Sequence, residues 1–150
     1  MHSLKRFSEA KKDYDKVLEM MAPDAVKADG TAAYLEYPDA FVQRGLCAEG
    51  LGDWEGAVSD YSSAVKLWGG GRGEGINPYV LTFRANALGR LGRYGEALAD
   101  YGAAEELFLR QRDLKRAIDA RANKALATYE TGDKDKAVKA MREIGASALF

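Results

Sequence analysis

Two arginine–aspartate pairs have a spacing that invites a chemical interpretation. Asp60 follows Arg44 by 16 residues, and Asp100 follows Arg84 by the same distance. Two carboxylates could act as general acid and general base, but only where both face one cleft. Asp60 and Asp100 instead occupy equivalent places in two similar segments, so they would be spread along a repeated structure. We therefore interpret each arginine and aspartate as a structural pair that joins two neighbouring helices, and we predict no catalytic residue.

Three other features could carry chemistry, but each lacks the partners that the chemistry needs. The glycine-rich run at residues 68–75, WGGGRGEG, lacks the lysine and the preceding strand of a phosphate-binding loop, so we interpret it as a linker. Cys47 is the single cysteine and His2 the single histidine, too few for a metal site or an internal disulfide. The sequence therefore predicts no metal and no cofactor, and the lone Cys47 favours a reducing compartment.

The charge balance excludes a general attraction to polyanions. The chain of 150 residues carries 22 lysines and arginines against 23 aspartates and glutamates, and its net charge is −1. Such a chain has no overall field that would draw it to nucleic acid or to an anionic membrane. The sequence contains neither an apolar run of about 18 residues, which a membrane span requires, nor a secretory signal. We expect a soluble protein of an intracellular, reducing compartment, with the cytoplasm and a plastid both open.

A repeat of 40 residues organises most of the chain. Gly52, Gly92 and Gly132 each stand in a short polar turn, with helix-forming residues on both sides. Particular side chains recur five, nine and twelve residues after each glycine, spacings that place them on one helical face. The recurring residues are Ala57, Tyr61, Ala64, Ala97, Tyr101, Ala104, Ala137, Met141 and Ile144. Each repeat is predicted to be a hairpin of a first helix A and a second helix B, and Asp53 is expected to cap the first helix B.

These positions resemble the tetratricopeptide repeat, a helical hairpin of about 34 residues. The family's characteristic small, glycine, alanine, aromatic and alanine positions fall on Gly45, Gly52, Ala57, Tyr61 and Ala64. The resemblance implies an all-α, right-handed solenoid of antiparallel helical hairpins, with longer connections between repeats than is usual. A looser likeness runs through NPYVLTFRANALGRLGRYGEALADY to tetratricopeptide repeat proteins of plant and algal plastids such as the chloroplast.

The resemblance also divides the sequence. We expect one domain, residues 1–150, of about three and a half hairpins. Its parts are 3–22 (helix B of an incomplete repeat), 23–37 (linker), 38–68 (repeat), 69–76 (glycine-rich loop), 77–112 (repeat) and 113–147 (repeat). The first helix of the incomplete repeat is expected to lie outside this sequence. The last connection between repeats has no glycine or proline, so we expect it to lengthen the helices around a break near Asp113.

The resemblance further implies a non-catalytic function. Solenoids of this kind are protein-binding scaffolds or adaptors, whose A helices line a concave groove for a peptide or a helix. The groove positions implied here are Val42, Leu46, Glu49, Tyr79, Thr82, Asn86, Arg90, Ala122, Leu126 and Tyr129. A clamp for the C-terminal carboxylate of chaperones is not expected, because its basic residues are missing. The corresponding positions hold Val42, Leu46, Asp119 and Asn123.

Three alternatives stay open at this level. The array could be the targeting or regulatory module of a larger enzyme. The basic stretch 110–124 could bind RNA, although Asp113 and Asp119 interrupt it. Terminal helices that lack a polar cap could associate with a second copy of the chain. We expect a protein or peptide as the partner, and neither nucleic acid nor a membrane.

Overall fold

The computed structural model describes residues 2–20, 38–69 and 75–148. In these residues the chain forms seven α-helices and no strand, which confirms the predicted all-α repeat architecture. The helices are α1 (His2–Met20), α2 (Pro38–Gly50), α3 (Trp54–Gly69), α4 (Pro78–Arg90), α5 (Tyr94–Arg110), α6 (Leu114–Glu130) and α7 (Lys134–Ala148). None of these seven helices is both long and apolar enough to cross a membrane. The predicted linker 23–37 and most of the glycine-rich loop lie outside the described residues.

The chain divides into two compact units, residues 1–80 (unit 1) and 81–150 (unit 2). In unit 1, α2 packs against both α1 and α3. In unit 2, α6 packs against both α5 and α7. Helices that follow one another in sequence are thus neighbours in space within each unit, as expected for antiparallel helical hairpins.

Small residues let the helices approach closely in both units. The three repeat alanines Ala57, Ala97 and Ala137 are fully buried. In unit 1, Gly45 of α2 faces the ring of Tyr61, and a Cβ atom at residue 45 would lie 2.6 Å from the Cε1 atom of that ring. Tyr61 itself is 0% exposed, so its ring has little room to retreat. The absence of a side chain at residue 45 is therefore a packing requirement.

Each glycine turn reverses the chain in the same way. The φ angles of Gly52, Gly92 and Gly132 are +77°, +76° and +99°, a region that residues with a side chain rarely adopt. In the first turn the amide of Asp53 donates to the carbonyl of Ala48 at 2.8 Å, which satisfies a carbonyl at the end of α2. The next helix begins immediately afterwards, so helices A and B are joined by only three residues.

Aspartate residues stand immediately before three of the seven described helices, α3, α6 and α7. The carboxylate of Asp53 accepts a hydrogen bond from the amide of Gly56 at 2.9 Å, so the cap expected from the sequence is formed. Asp113 caps α6 in the same manner, at 3.2 Å from the amide of Arg116. Asp133 holds the equivalent place before α7, at 3.4 Å from the amide of Lys136. The turn and the cap together fix where each helix ends and the next begins.

The connection between α5 and α6 is a fourth copy of this turn without the glycine. It occupies residues 111–113, and the amide of Asp113 donates to the carbonyl of Phe108 at 2.9 Å. Arg112 takes the place of the glycine and has a φ angle of +59°. The break predicted near Asp113 is confirmed, and the extra length of the repeat lies in α5 and α6, which have 17 residues each.

We expect Arg112→Gly to raise the free energy of unfolding by about 0.5 kcal/mol. Glycine removes the cost of a left-handed backbone in a residue with a side chain, and that gain exceeds the chain entropy that glycine adds to the unfolded state. Chemical unfolding followed by circular dichroism measures the change. Arg112→Ala is the control, because alanine keeps the strained backbone; equal stability of the two variants would contradict this explanation.

Candidate functional site

The two arginine–aspartate pairs join helix A to helix B in both repeats that carry them. Arg44 Nε donates to Asp60 Oδ2 at 2.9 Å, and Arg44 Nη2 donates to Asp60 Oδ1 at 2.6 Å. Arg84 donates to both carboxylate oxygens of Asp100 at 2.7 Å. The two aspartates are only 5% and 7% exposed. Each buried carboxylate is thus occupied by a guanidinium and holds a hairpin together, which is a structural role.

In unit 1 a residue of α1 extends the pair. Asp15 accepts a hydrogen bond from Arg44 Nη1 at 3.1 Å, and Lys11 lies 3.5 Å from the carboxylate of Asp15. The hydrogen bond to Asp60 is the main reason that the pKa of Arg44 is raised, with Asp15 adding to the effect. The sequence carries no signal for Asp15, because nothing in the repeat relates it to an arginine 29 residues later. Helix α1 is therefore tied to α2 by charge as well as by packing.

The recurrent tyrosine of helix B meets a different partner in each unit. In unit 2 the hydroxyl of Tyr101 donates to the Oδ1 atom of Asn86 on α4. In unit 1 the hydroxyl of Tyr61 lies beside the carboxyl group of Glu49 on α2. The different partners follow from the aligned repeats. Asn86 corresponds to Leu46 of unit 1, and Gly89 corresponds to Glu49.

That glycine, Gly89, opens a cavity in unit 2. The cavity has a volume of about 160 Å³ and lies between α4, α5 and α6. Its lining residues are Gly89, Tyr94, Ala97, Tyr101, Asn123, Leu126, Ala127 and Glu130. A Cβ atom built on Gly89 would meet no other atom within 4 Å, so packing does not demand a glycine there. The cavity is mostly apolar and opens to solvent.

Three of the predicted groove residues lie at or near this cavity. Leu126 lines it, and Asn86 is linked to it through the hydroxyl of Tyr101. Tyr129 precedes a lining residue and is 40% exposed, with the ammonium of Lys134 5.2 Å from the centre of its ring. The structure thus brings together residues of α4 and α6, the A helices of two successive repeats.

The other predicted groove residues differ in exposure, and one of them is corrected. Val42 is 6% exposed, because α1 and α3 cover α2 from two sides, so it belongs to the core of unit 1 and cannot line a groove. The half-buried positions are Leu46, Glu49, Thr82 and Ala122, and the exposed ones are Tyr79 and Arg90.

Sequence reasoning did not assign Tyr94, Tyr101 or Asn123 to the groove, although all three line the cavity. The two tyrosines recur with the repeat, and a recurring aromatic residue on helix B indicates a packing role. Asn123 has no spacing relation that would connect it with them. Only the placement of α6 against α5 brings these side chains to one cavity.

Glu49 occupies a position where its charge is poorly hydrated. Burial raises the pKa of its carboxyl group, and the neighbouring hydroxyl of Tyr61 offsets part of that shift. Burial also raises the pKa of the Tyr61 hydroxyl, with the charge of Glu49 acting in the same direction. The tyrosine therefore stays protonated at neutral pH, and the glutamate is easier to protonate than one in water.

We expect Glu49→Gln to raise the free energy of unfolding at neutral pH. A folded-state pKa above the ordinary value of 4.5 means that the folded protein holds more protons than the unfolded chain at pH values just above 4.5. The Glu49 contribution to stability therefore falls as the pH rises through that window, and glutamine removes this loss. The difference in unfolding free energy between the two proteins, followed from acidic to neutral pH, measures it. Glu106→Gln, at an exposed site, is the control; a similar rise in that variant would contradict the explanation.

Local ion pairs partly neutralise the basic stretch 110–124. Arg110 lies 2.8 Å from the carboxylate of Glu106, and Arg116 lies 3.0 Å from that of Asp113. Arg121 lies 2.8 Å from a glutamate of α5. These contacts fasten α5 to α6 or stabilise helix ends. The positive charge that this surface offers to a polyanion is therefore smaller than the sequence indicates.

Cys47 is placed as a core residue. It is 7% exposed, and burial raises the pKa of its thiol, so the thiolate is disfavoured. Within residues 2–20, 38–69 and 75–148, no three histidine, cysteine, aspartate or glutamate side chains are grouped so as to hold a metal ion.

Comparison with known proteins agrees with the geometry of the first complete hairpin. A family model described as tetratricopeptide repeat matches residues 39–69, which are nearly all of α2 and α3. The match covers Gly45, Gly52 and Tyr61, the residues that make the close contact and the turn. No curated protein matches the sequence. Residues 39–69 are therefore similar to a tetratricopeptide repeat, and the helices that the structure describes form the all-α hairpins expected from that similarity.

Proposed function

We propose that the chain is a non-catalytic protein-binding scaffold that holds a peptide or a helix on the surface formed by α4 and α6. Tetratricopeptide repeats generally mediate protein–protein interactions. The observation that carries the proposal is the cavity beside Gly89. A glycine inside a helix costs about 1 kcal/mol relative to alanine, and packing around Gly89 would accept a side chain. The glycine therefore lowers helix stability without being needed for packing, and the space it leaves favours a role for the cavity in binding.

The exposed face of α6 adds apolar area beside the cavity. Leu126 is 55% exposed, Tyr129 is 40% exposed and Ile118 is 39% exposed, and helical spacing places all three on one side of the helix. Large apolar side chains aligned on an exposed helix face are typical of a surface that another protein covers. Asn86 and Arg90 on α4 are exposed and polar, and they could hold the partner's backbone.

The remaining predicted groove positions are included in the proposed binding surface, but the proposal does not depend on them. Thr82 and Ala122 lie on the same two helices as the cavity. Leu46, Glu49 and Tyr79 are proposed for the equivalent role in unit 1. Val42 is left out because it is buried.

Two other functions are less well supported. RNA binding through residues 110–124 would have to use arginines that already pair with carboxylates. A role as the targeting or regulatory module of a larger enzyme is compatible with the same binding surface, because such a module would also act by holding a protein partner.

The substitution Gly89→Leu tests the proposal. Leucine would fill the cavity from the α4 side, and we expect the fold to be retained because leucine is a good helix former and has free space at this position. The probe is a library of random linear peptides displayed on phage and selected on the immobilised wild-type chain. We expect the selected peptides to bind Gly89→Leu at least about tenfold more weakly, a loss of about 1.4 kcal/mol of binding free energy.

Gly95→Leu is the matched control. Gly95 also lies in a helix, and a Cβ atom added to it would meet no atom within 4 Å, but it is exposed on α5 and does not line the cavity. Selected peptides should bind this variant as they bind the wild type. Equal binding to wild type and Gly89→Leu would refute the assignment of the binding surface. Asn86→Ala is a less direct test, because it also removes the acceptor of the Tyr101 hydroxyl.

A further inference from the structure

The cavity beside Gly89 is lined by both apolar and polar side chains. Its apolar and aromatic lining residues are Ala97, Ala127, Leu126, Tyr94 and Tyr101. Glu130 and Asn123 are the lining residues with a carboxylate and an amide. In the part of the chain that the structure describes, neither of these two side chains forms a hydrogen bond or an ion pair. The cavity thus combines the unpaired side chains of Glu130 and Asn123 with apolar and aromatic lining residues.

The charges near the cavity leave the carboxylate of Glu130 unneutralised. Lys134 follows Glu130 by one helical turn, but its ammonium lies over the ring of Tyr129, 5.2 Å from the ring centre. The hydroxyl proton of Tyr101 is directed to Asn86, so it is not offered to a ligand in the cavity. The site therefore presents the negative charge of Glu130 beside the amide of Asn123, which can both donate and accept hydrogen bonds.

We propose, resting on the proposed peptide-binding function, that this cavity receives one basic side chain of the partner, a lysine or an arginine. The hydrocarbon part of such a side chain would lie against Leu126 and the tyrosine rings, and its cation would reach Glu130. Lysine and arginine combine an apolar stem with a charged end, and cations are attracted to aromatic faces. A cavity of about 150 Å³ can hold a group as large as benzene, so a volume of about 160 Å³ suits one side chain.

Other occupants fit this chemistry less well. An acidic side chain or a terminal carboxylate would be repelled by Glu130. A purely apolar side chain would pack against the apolar lining residues. It would also remove water from the carboxylate of Glu130 without replacing the hydrogen bonds to that water, which is unfavourable. Of these occupants, only a basic side chain can both cover the apolar lining residues and pair with the carboxylate of Glu130.

The test compares peptide selections on the wild type, on Glu130→Lys and on Asp13→Lys, all as the full chain and all with the phage-displayed random library. We expect the wild type to select peptides with lysine or arginine at one position. Glu130→Lys should replace that preference with aspartate or glutamate. Asp13→Lys makes the same charge change at an exposed position of α1, which contributes no residue to the cavity, so the wild-type preference should persist.

A synthetic version of a selected peptide then isolates the charge. Replacing its conserved basic residue with norleucine should weaken binding to the wild type by about tenfold, and the difference should disappear in Glu130→Gln. Peptides that lose affinity for Gly89→Leu but show no basic position would overturn this inference and leave the proposed function standing. Peptides that bind Gly89→Leu as well as wild type would overturn both.

Discussion

Replacing Arg44 with methionine is expected to lower the free energy of unfolding by about 3 kcal/mol. Methionine keeps an unbranched apolar side chain but removes both hydrogen bonds that the guanidinium donates to Asp60. The carboxylate of Asp60 would then remain in a place that is 5% exposed, without its counter-charge. Asp15 would lose its contact with α2 as well, so α1 would be held less firmly. Urea unfolding followed by circular dichroism measures the loss.

Two further variants separate burial from charge in this prediction. Arg110→Met removes an ion pair whose arginine and glutamate side chains are 69% and 66% exposed, and it should cost less than about 0.5 kcal/mol. Arg44→Met combined with Asp60→Leu should recover much of the loss, because no unpaired buried charge remains. If Arg44→Met cost no more than Arg110→Met, the pair would not hold the hairpin together as described.

The second large effect is expected for Gly45→Ala, which should lower the free energy of unfolding by about 2 kcal/mol. The new methyl group would lie 2.6 Å from the ring of Tyr61, closer than carbon atoms approach in folded proteins. The ring is 0% exposed, so relief requires either an altered tyrosine rotamer or a wider gap between α2 and α3. This cost exceeds the gain of about 1 kcal/mol that alanine brings as the better helix former.

Gly89→Ala is the matched comparison for this prediction, because Gly89 also lies inside a helix A. The methyl group of alanine would meet no atom within 4 Å there, so this variant should raise the free energy of unfolding by about 0.5 to 1 kcal/mol. The two glycines should therefore respond with opposite signs in the same unfolding measurement. A loss of stability in both variants would mean that Gly89 is needed for packing, and the binding argument built on it would fail.

Much of the fold could be predicted from the sequence, because the same pattern of residues occurs in three repeats. The glycines 40 residues apart indicated the turns, and the same register related Arg44 to Asp60 and Arg84 to Asp100. Helical periodicity then indicated which alanines face the core. Agreement among separate copies strengthens each of these inferences, because a chance pattern rarely recurs in register.

The cavity could not be predicted in this way, because it depends on what differs between copies. One position holds Glu49 in unit 1 and Gly89 in unit 2, and the sequence does not say whether the missing side chain is replaced by a neighbour or by space. The answer depends on Tyr94 and Leu126, which reach the same place from α5 and α6. Val42 was assigned to the groove for a related reason, since family positions say nothing of how α1 and α3 cover α2.

The three-residue turns of unit 2 also bear on how the chain reaches its folded state. Residues 94–148 consist of three helices joined only by such turns, including the glycine-free turn at Arg112. Each helix can therefore find its neighbour by closing a short loop, and the entropy lost in closing a loop grows with its length. Chains dominated by such local encounters fold quickly. Residues 94–148 supply most of the residues that line the proposed binding cavity. We expect them to form early in folding, because their contacts join segments that are close in sequence.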